Sequence, residues 1–434
     1  MNDTINILEL FAGVGGFRIG LENSNPDKYI TKWSNQWEPS RKSQDAFEVY
    51  DHQYPDSVNL NVDIEEISDE EFAEMDADLI VGGFPCQDYS VARSTKGELG
   101  IQGKKGVLFW QIIRATEIIK PKYLVLENVD RLLKSPTSQR GRDFAIMLAA
   151  FDQLGYSVEW RIINAAEYGR AQRRRRVFIY VYRNDLPWAQ DIDEKYEENE
   201  RLNLLSEEAV LPHRYQDYVF KDGLFARQFP IEGNPVKGRH AYGKLSTDIV
   251  EVSDNYDGGK MWNAGIMRHG VYYTYDTVPI EEEPITLGEI IQDESEVDDR
   301  YYLTEDQVEK FEYLRGAKKI ERTSADGHKY VYSEGGMSPY DDLDLPGRTM
   351  LTSEGTVNRS SHLLYIGGRY RFLTPVEAER MQDFPDDWTK YKKPSDGEVV
   401  EVSDRMRLFF MGNALVTGIV KRIGDELEKI DSKS

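Results

Sequence analysis

The chain contains one cysteine, Cys86, within the stretch GGFPCQDYS. That stretch follows an apolar run, ADLIV, whose length and composition predict a buried strand. A lone thiol just past a strand end is either core filler, the commoner fate of free cysteine, or a nucleophile. A nucleophilic thiolate needs a lowered pKa or an activated partner. Glu127 and Asn128, in LENV, stand at the end of another strand-like run, YLVLE. A carboxyl held at low dielectric stays protonated near neutral pH and can act as an acid. Its structural alternative is an ion pair with one of the arginines. Those arginines come in QRRRRVFI, which leads straight into an apolar strand. Alternation along a strand puts Arg174 and Arg176 on one face, Arg173 and Arg175 on the other. One pair can enter a site while the other stays solvated.

A second group of residues suits a nucleoside. FAGVGG sets Gly13, Gly15 and Gly16 at a strand-to-helix turn, where a ligand can approach the backbone. It is not the dinucleotide fingerprint, because Arg18 stands where the third glycine would fall, and no lysine follows in P-loop spacing. A structural turn is the alternative. NQWE lies roughly 20 residues on, where a ribose-binding side chain is expected after the second strand. Gln36 or Glu38 could hold ribose hydroxyls, and Trp37 could stack on a purine or simply fill core. Asp63, beside apolar Ile64, could accept from an exocyclic amine.

The elements that position these residues alternate. INILEL, YITKWSNQ, LIVGG, YLVLE, VEWRIIN and RRVFIYVYR read as strands. FRIGLEN, VLFWQIIRATEIIK and DFAIMLAAFDQLGYS read as helices. Such alternation implies an α/β domain on a largely parallel sheet, which binds ligands at the carboxyl ends of its strands. FAGVGG, GGFPCQ and ENVDR all sit just after strands. Beyond residue 186 the periodicity breaks down, and 186–365 reads as a smaller, irregular mixed domain with short strands. RFLTPVEAERMQDFPDDW then predicts a helix with Thr374 as N-cap and Pro375 in its first position. GNALVTGIVKRIGDELEKI predicts an amphipathic closing helix.

Net charge is −23 from 54 basic and 77 acidic residues, which argues weakly against a nucleic-acid partner. Phosphate binding depends on local patches, however, because exposed charges are screened beyond roughly 10 Å. From Arg93 to Arg142 there are eleven Lys and Arg against four Asp and Glu. A single cysteine excludes an intrachain disulfide, and the six histidines show no metal-ligand spacing. No run approaches the ~20 apolar residues of a membrane span. The N-terminus carries no basic leader. A reducing, cytoplasmic setting is expected, with no metal and no membrane.

Six segments then appear in order: LELFAGVGGFRIGLE, GGFPCQDYSVA, LENVDRLL, NAAEYGRAQRRRRVFI, RFLTPVEAERMQDFPDDW and GNALV. Together they resemble the DNA (cytosine-5) methyltransferases of bacterial restriction-modification type, across residues 5–185 and again from 366 to about 425. The resemblance implies a Rossmann-like methyltransferase domain over 1–185, completed by a C-terminal helix at 405–434. It implies a target-recognition domain over 186–404, with its variable part at 186–365. The target cytosine is then flipped into the site. Cys86 attacks C6 while Glu127 acts at N3, and C5 takes a methyl group from S-adenosylmethionine. Arg174 and Arg176 match the family's arginines at the flipped base and nearby phosphates, and Pro85, Asn128 and Val129 shape the pocket. Phe11, Gly13, Gly15, Gly16, Gln36, Trp37, Asp63, Ile64, Asn413 and Ala414 match the cofactor motifs, and S-adenosylhomocysteine is the product. Gln36 departs from the family's usual glutamate, which leaves Glu38 as an alternative ribose ligand, and Ala414 replaces a common serine.

Gln87 and Ser90 begin the catalytic loop, and RSTKGELGIQGKKG brings Arg93, Lys96, Lys104 and Lys105 to phosphate. Its four glycines permit a hinge. The implied partner is double-stranded DNA, with a restriction endonuclease as functional counterpart and a monomer as the working state, the DNA tethering the protein to the nucleoid. Two other readings remain at this level. One is a tRNA cytosine-5 methyltransferase, and the other is a DNA-binding homologue that has lost catalysis.

Overall fold

The computed structural model describes residues 4–85, 108–203, 214–324 and 326–434. Cys86, Gln87, Ser90, Arg93, Lys96, Lys104 and Lys105 lie outside the described residues.

Ten strands make one sheet: β1 Ile5–Leu10, β2 Tyr29–Asn35, β3 Val58–Leu60, β4 Leu79–Gly83, β5 Tyr123–Val129, β6 Tyr156–Asn164, β7 Arg175–Arg183, β8 His240–Lys244, β9 Ala264–Arg268 and β10 Val271–Tyr275. Their order is β3-β2-β1-β4-β5-β7-β6-β9-β10-β8. Helices α1 Gly16–Ser24, α2 Asp45–Gln53, α3 Asp69–Glu74, α4 Leu108–Ile119 and α5 Arg142–Gln153 intervene between the early strands. The α/β expectation holds, and each predicted strand and helix of the first 185 residues forms close to where its pattern places it.

The parallel part covers one half of the sheet. Strands β3, β2, β1, β4 and β5 run parallel, whereas β7, β6, β9, β10 and β8 pair antiparallel in succession. The cause is connection length. Residues 165–174 join β6 to β7 and are too few for a parallel crossover, so the chain must turn back. His269 and Gly270 close β9 to β10 with φ of 49° and 73°, the conformation a two-residue hairpin requires. The sheet therefore continues past residue 185, with β8–β10 drawn from the stretch that looked irregular.

Side chains alternate across the first strands into two cores. Ile5, Ile7, Leu79, Val81, Tyr123 and Val125 face a helix at the chain's end, Thr417–Asp431, through its Ile419, Ile423 and Leu427. Leu8, Leu10, Ile80, Leu124 and Leu126 face Phe109 and Ile112 of α4 and Phe144 and Leu148 of α5. The C-terminal helix also packs on α1, and at Gly20 a Cβ would come 2.5 Å from the Val420 Cβ. The helix Pro375–Met381 begins as its sequence demands, with Thr374 as N-cap, a capping box to Glu377 and proline in the first turn. Among the described residues no helix is long and apolar enough to cross a membrane.

Candidate active site

The carboxyl ends of β1, β2, β4 and β5 open into a cleft of about 620 Å³. Phe11, Gly13, Gly16, Gln36, Trp37, Asp63, Ile64, Asn413 and Ala414 line it, together with Pro85, Glu127, Asn128, Val129, Arg174 and Arg176. These residues come from seven stretches spread over the whole chain. Gly15 is the one described residue of the predicted set outside the lining. It caps α1 at φ 93°, with Tyr54 and Tyr50 behind it.

The glycine turn is held from two sides. Phe11, Gly13 and Gly15 all have positive φ, at 53°, 55° and 93°. The Gly13 N–H donates to Gln36 Oε1 at 2.8 Å, and Trp388 Nε1 donates to the Val14 carbonyl at 2.8 Å. A Cβ built on Gly13 meets no protein atom within 4 Å, so the turn offers bare backbone to the cleft. Aromatic Phe11, Trp37 and Phe409 with Ile64 give flat apolar surface, and Gln36, Glu38 and Asp63 give polar edges. That mixture fits a nucleoside-bearing group. Asp63 also caps the short turn at Ile64–Glu66 by accepting from Glu65 N–H at 3.0 Å.

At the other end of the cleft stands the acid. Glu127 Oε1 lies 2.9 Å from Arg176 Nε. Burial raises the Glu127 pKa, opposed by the nearby Arg176 and Arg174 cations. Asn128 donates to the Phe84 carbonyl at 2.9 Å, fixing the turn that leads through Pro85 to Cys86. Gly83 stands beside it, where a Cβ would come 3.0 Å from Glu127 Oε2 and press on that carboxyl.

The predicted alternation of the arginines is observed. Arg174 is buried and Arg176 half-buried, whereas Arg173 and Arg175 are exposed. Arg174 does more than line the site. Its guanidinium donates to the Met350 carbonyl at 3.1 Å and to the Gly412 carbonyl at 2.9 Å. Burial and the Arg176 cation push it down to about 9, against the pull of Glu127. It remains charged at neutral pH and ties three distant segments together.

Several lining residues lie outside the predicted set of site residues. Arg41 spans the cleft mouth, with its guanidinium 4.3 Å from the centre of the Phe409 ring and its Nε 3.3 Å from Glu38 Oε2. Phe384, Phe410, Gly412 and Leu415 complete the wall. Gln382 braces that wall from outside, donating to the Met411 carbonyl at 2.6 Å. Phe384 belongs to FPDDW and Gly412 and Leu415 to GNALV, whereas Arg41 and Phe410 only neighbour NQWE and GNALV.

Across residues 5–429 the chain matches the model of the C-5 cytosine-specific DNA methylases, and it belongs to that family. It is a DNA cytosine-5 methyltransferase of the type II kind. Its sequence is 54% identical over 428 residues to the type II methyltransferase M.Sau3AI of Staphylococcus aureus, covering 99% of this chain and 96% of that one. Over 182 residues it is 30% identical to M.HhaI of Haemophilus parahaemolyticus, covering 42% of this chain and 50% of that one. Among solved structures the Dnmt2 methyltransferase of S. pombe is similar in fold, with TM-score 0.57 at 13% identity, over 99% of this chain and 98% of that one.

Proposed function

We propose that the cleft binds S-adenosylmethionine at its glycine-turn end and a flipped DNA cytosine at its Glu127 end. The single observation that carries this reading is the convergence of both residue sets on one cleft. Phe11, Gly13, Gln36, Trp37, Asp63 and Ile64 would hold the cofactor, with Asn413 and Ala414 closing over it. Bound there, S-adenosylmethionine supplies an electrophilic methyl group on a sulfonium.

The chain's own residues prepare the ring to accept it. Cys86, placed by the sequence immediately after Pro85, forms a bond to C6 as thiolate. Cytosine C6 is a weak electrophile unless the charge developing on the ring is neutralised. Glu127, whose proton burial holds to higher pH than on a free glutamate, delivers a proton toward N3 and makes C5 nucleophilic. After methylation the C5 proton passes to water, the C6–S bond breaks as the C5–C6 double bond re-forms and the Cys86 thiolate leaves, and N3 returns its proton to Glu127. Arg176 orients the Glu127 carboxyl, and Arg174 positions the walls around it.

Double-stranded DNA is the substrate in this reading, and the basic stretch from Arg93 meets its phosphates. Residues 1–185 with 405–434 form the catalytic unit. Residues 186–404 form the recognition unit, with β8–β10 as the part fused to the sheet. A monomer acting in the cytoplasm, alongside a restriction endonuclease, completes the proposal. The direct test uses a duplex carrying 5-fluorocytosine at the target. With cofactor present, wild-type protein is expected to form a denaturation-resistant adduct and Cys86→Ala none. An adduct that survives the substitution contradicts the assignment.

A further inference from the structure

Leu351 is a large apolar side chain left 44% exposed on a hydrogen-bonded stretch of backbone. Immediately before it, Met350 N–H donates to Gln172 Oε1 at 2.9 Å and the Met350 carbonyl accepts from Arg174. The Leu351 carbonyl accepts from Glu354 N–H at 3.1 Å. Its backbone lies so close to Gly412 that a Cβ on that glycine would meet the Leu351 carbonyl carbon at 2.5 Å. Arg174 and Gly412 both line the cleft. Leu351 thus stands next to the walls of the site.

The loop that follows is stiff, although it contains no helix or strand. Glu354 is fully buried and accepts from His362 N–H at 2.6 Å, with its other oxygen 3.1 Å from His362 Nδ1. Asn358 Oδ1 accepts from the N–H groups of Ser360 and Ser361, at 2.8 and 3.0 Å. Thr349 Oγ1 donates to the Arg173 carbonyl at 2.6 Å, fixing the loop's start to the arginine segment. These bonds hold the backbone that carries Leu351 in one place beside the site. A fixed backbone is what a side chain needs if it must hold its place under load.

The load available here is the DNA stack. Extruding a cytosine opens a gap between neighbouring base pairs, and an apolar side chain that enters the gap replaces part of the lost stacking. The geometry points to Leu351 as an apolar wedge that occupies the space vacated by the target cytosine. This rests on the flipped-base reading above. Wild-type turnover on a paired duplex tests that reading by itself, so the comparison among variants tests only the wedge.

The experiment measures kcat/KM for wild type, Leu351→Ala and Leu351→Met on two duplexes. In one the target cytosine is paired; in the other it faces an abasic site, which removes the pairing to be broken. Leu351→Ala is expected to lose about 10- to 100-fold on the paired duplex, the size of an unstacking deficit. It should recover to within about 3-fold of wild type on the abasic one. Leu351→Met, still long and apolar, should stay close to wild type on both. Equal loss on both duplexes, or no loss on the paired one, overturns the wedge. Binding of S-adenosylhomocysteine by each variant reports that the fold is intact.

Discussion

Arg176 Nε and Glu127 Oε1 stand 2.9 Å apart on the adjoining strands β7 and β5, two register positions from each other. The pair combines opposing influences on one acid. Burial favours the neutral carboxyl, the arginine favours the charged one, and burial prevails. The proton is therefore retained to higher pH than on a free glutamate. Activity that depends on it should fall as pH rises through the raised pKa. Glu127→Gln should lower kcat by about 10²- to 10⁴-fold, the usual weight of a positioned acid. It should also remove the alkaline limb of the kcat profile assigned to this group.

Gly83 sets the room beside that acid. Gly83→Ala would bring a methyl group to about the 3.0 Å approach of Glu127 Oε2 that leaves no slack. Turnover should drop by about 10-fold as the carboxyl shifts, since small misplacements at a reacting centre are costly. Binding of S-adenosylhomocysteine, measured by calorimetry, should change little.

Gln36 has its carbonyl oxygen committed to Gly13 N–H at 2.8 Å. Gln36→Glu keeps an acceptor there and strengthens it by charge, so affinity for S-adenosylhomocysteine should be retained. Gln36→Ala loses the brace on the glycine turn and should weaken that affinity by about 10-fold, in line with one lost hydrogen bond. Equal effects of the two substitutions would contradict this role.

Buried carboxyls elsewhere shape the stability of the fold. Glu9, on β1, accepts from Tyr50 OH at 2.8 Å, and burial pushes it up to about 7. Its folded pKa lies above the unfolded value, so the folded state binds the extra proton between about pH 4.5 and 7. The resulting stabilisation is complete below that window and is lost as pH rises through it. Thermal melts should show Glu9→Gln flattening the decline between pH 5 and 8, with a gain of ~1–3 kcal/mol at the alkaline end.

Of the two exposed arginines beside the cleft, Arg173 is proposed to contact DNA. Binding should weaken with salt despite the acidic chain. Arg173→Ala should reduce the slope of log affinity against log salt by about one, as loss of one phosphate contact requires. An unchanged slope would remove Arg173 from the interface.

Much of this was legible in the sequence for local reasons. Continuous apolar runs ending in glycine or acid turns placed β1, β4 and β5. The Thr374–Pro375 pair placed a helix start to the residue. The alternation of Arg173 to Arg176 separated buried from exposed side chains. What stayed hidden depends on contacts far apart in the chain. The short runs AGIMR and VYYTY look like fragments until β9 pairs with β6 and β10 folds back on it. The anchoring of Met350 and Gly412 by Arg174 joins segments more than 170 residues apart. The Arg41–Phe409 contact likewise has no periodic signature.

We propose methylation at C5 of cytosine in DNA through Cys86. Bisulfite sequencing of DNA from cells expressing the protein tests it most directly. Cells with the wild-type protein should show protected cytosines at one recurring sequence, and cells with Cys86→Ala none. Cytosines converted throughout with the wild-type protein, or protection that persists in Cys86→Ala, would contradict it.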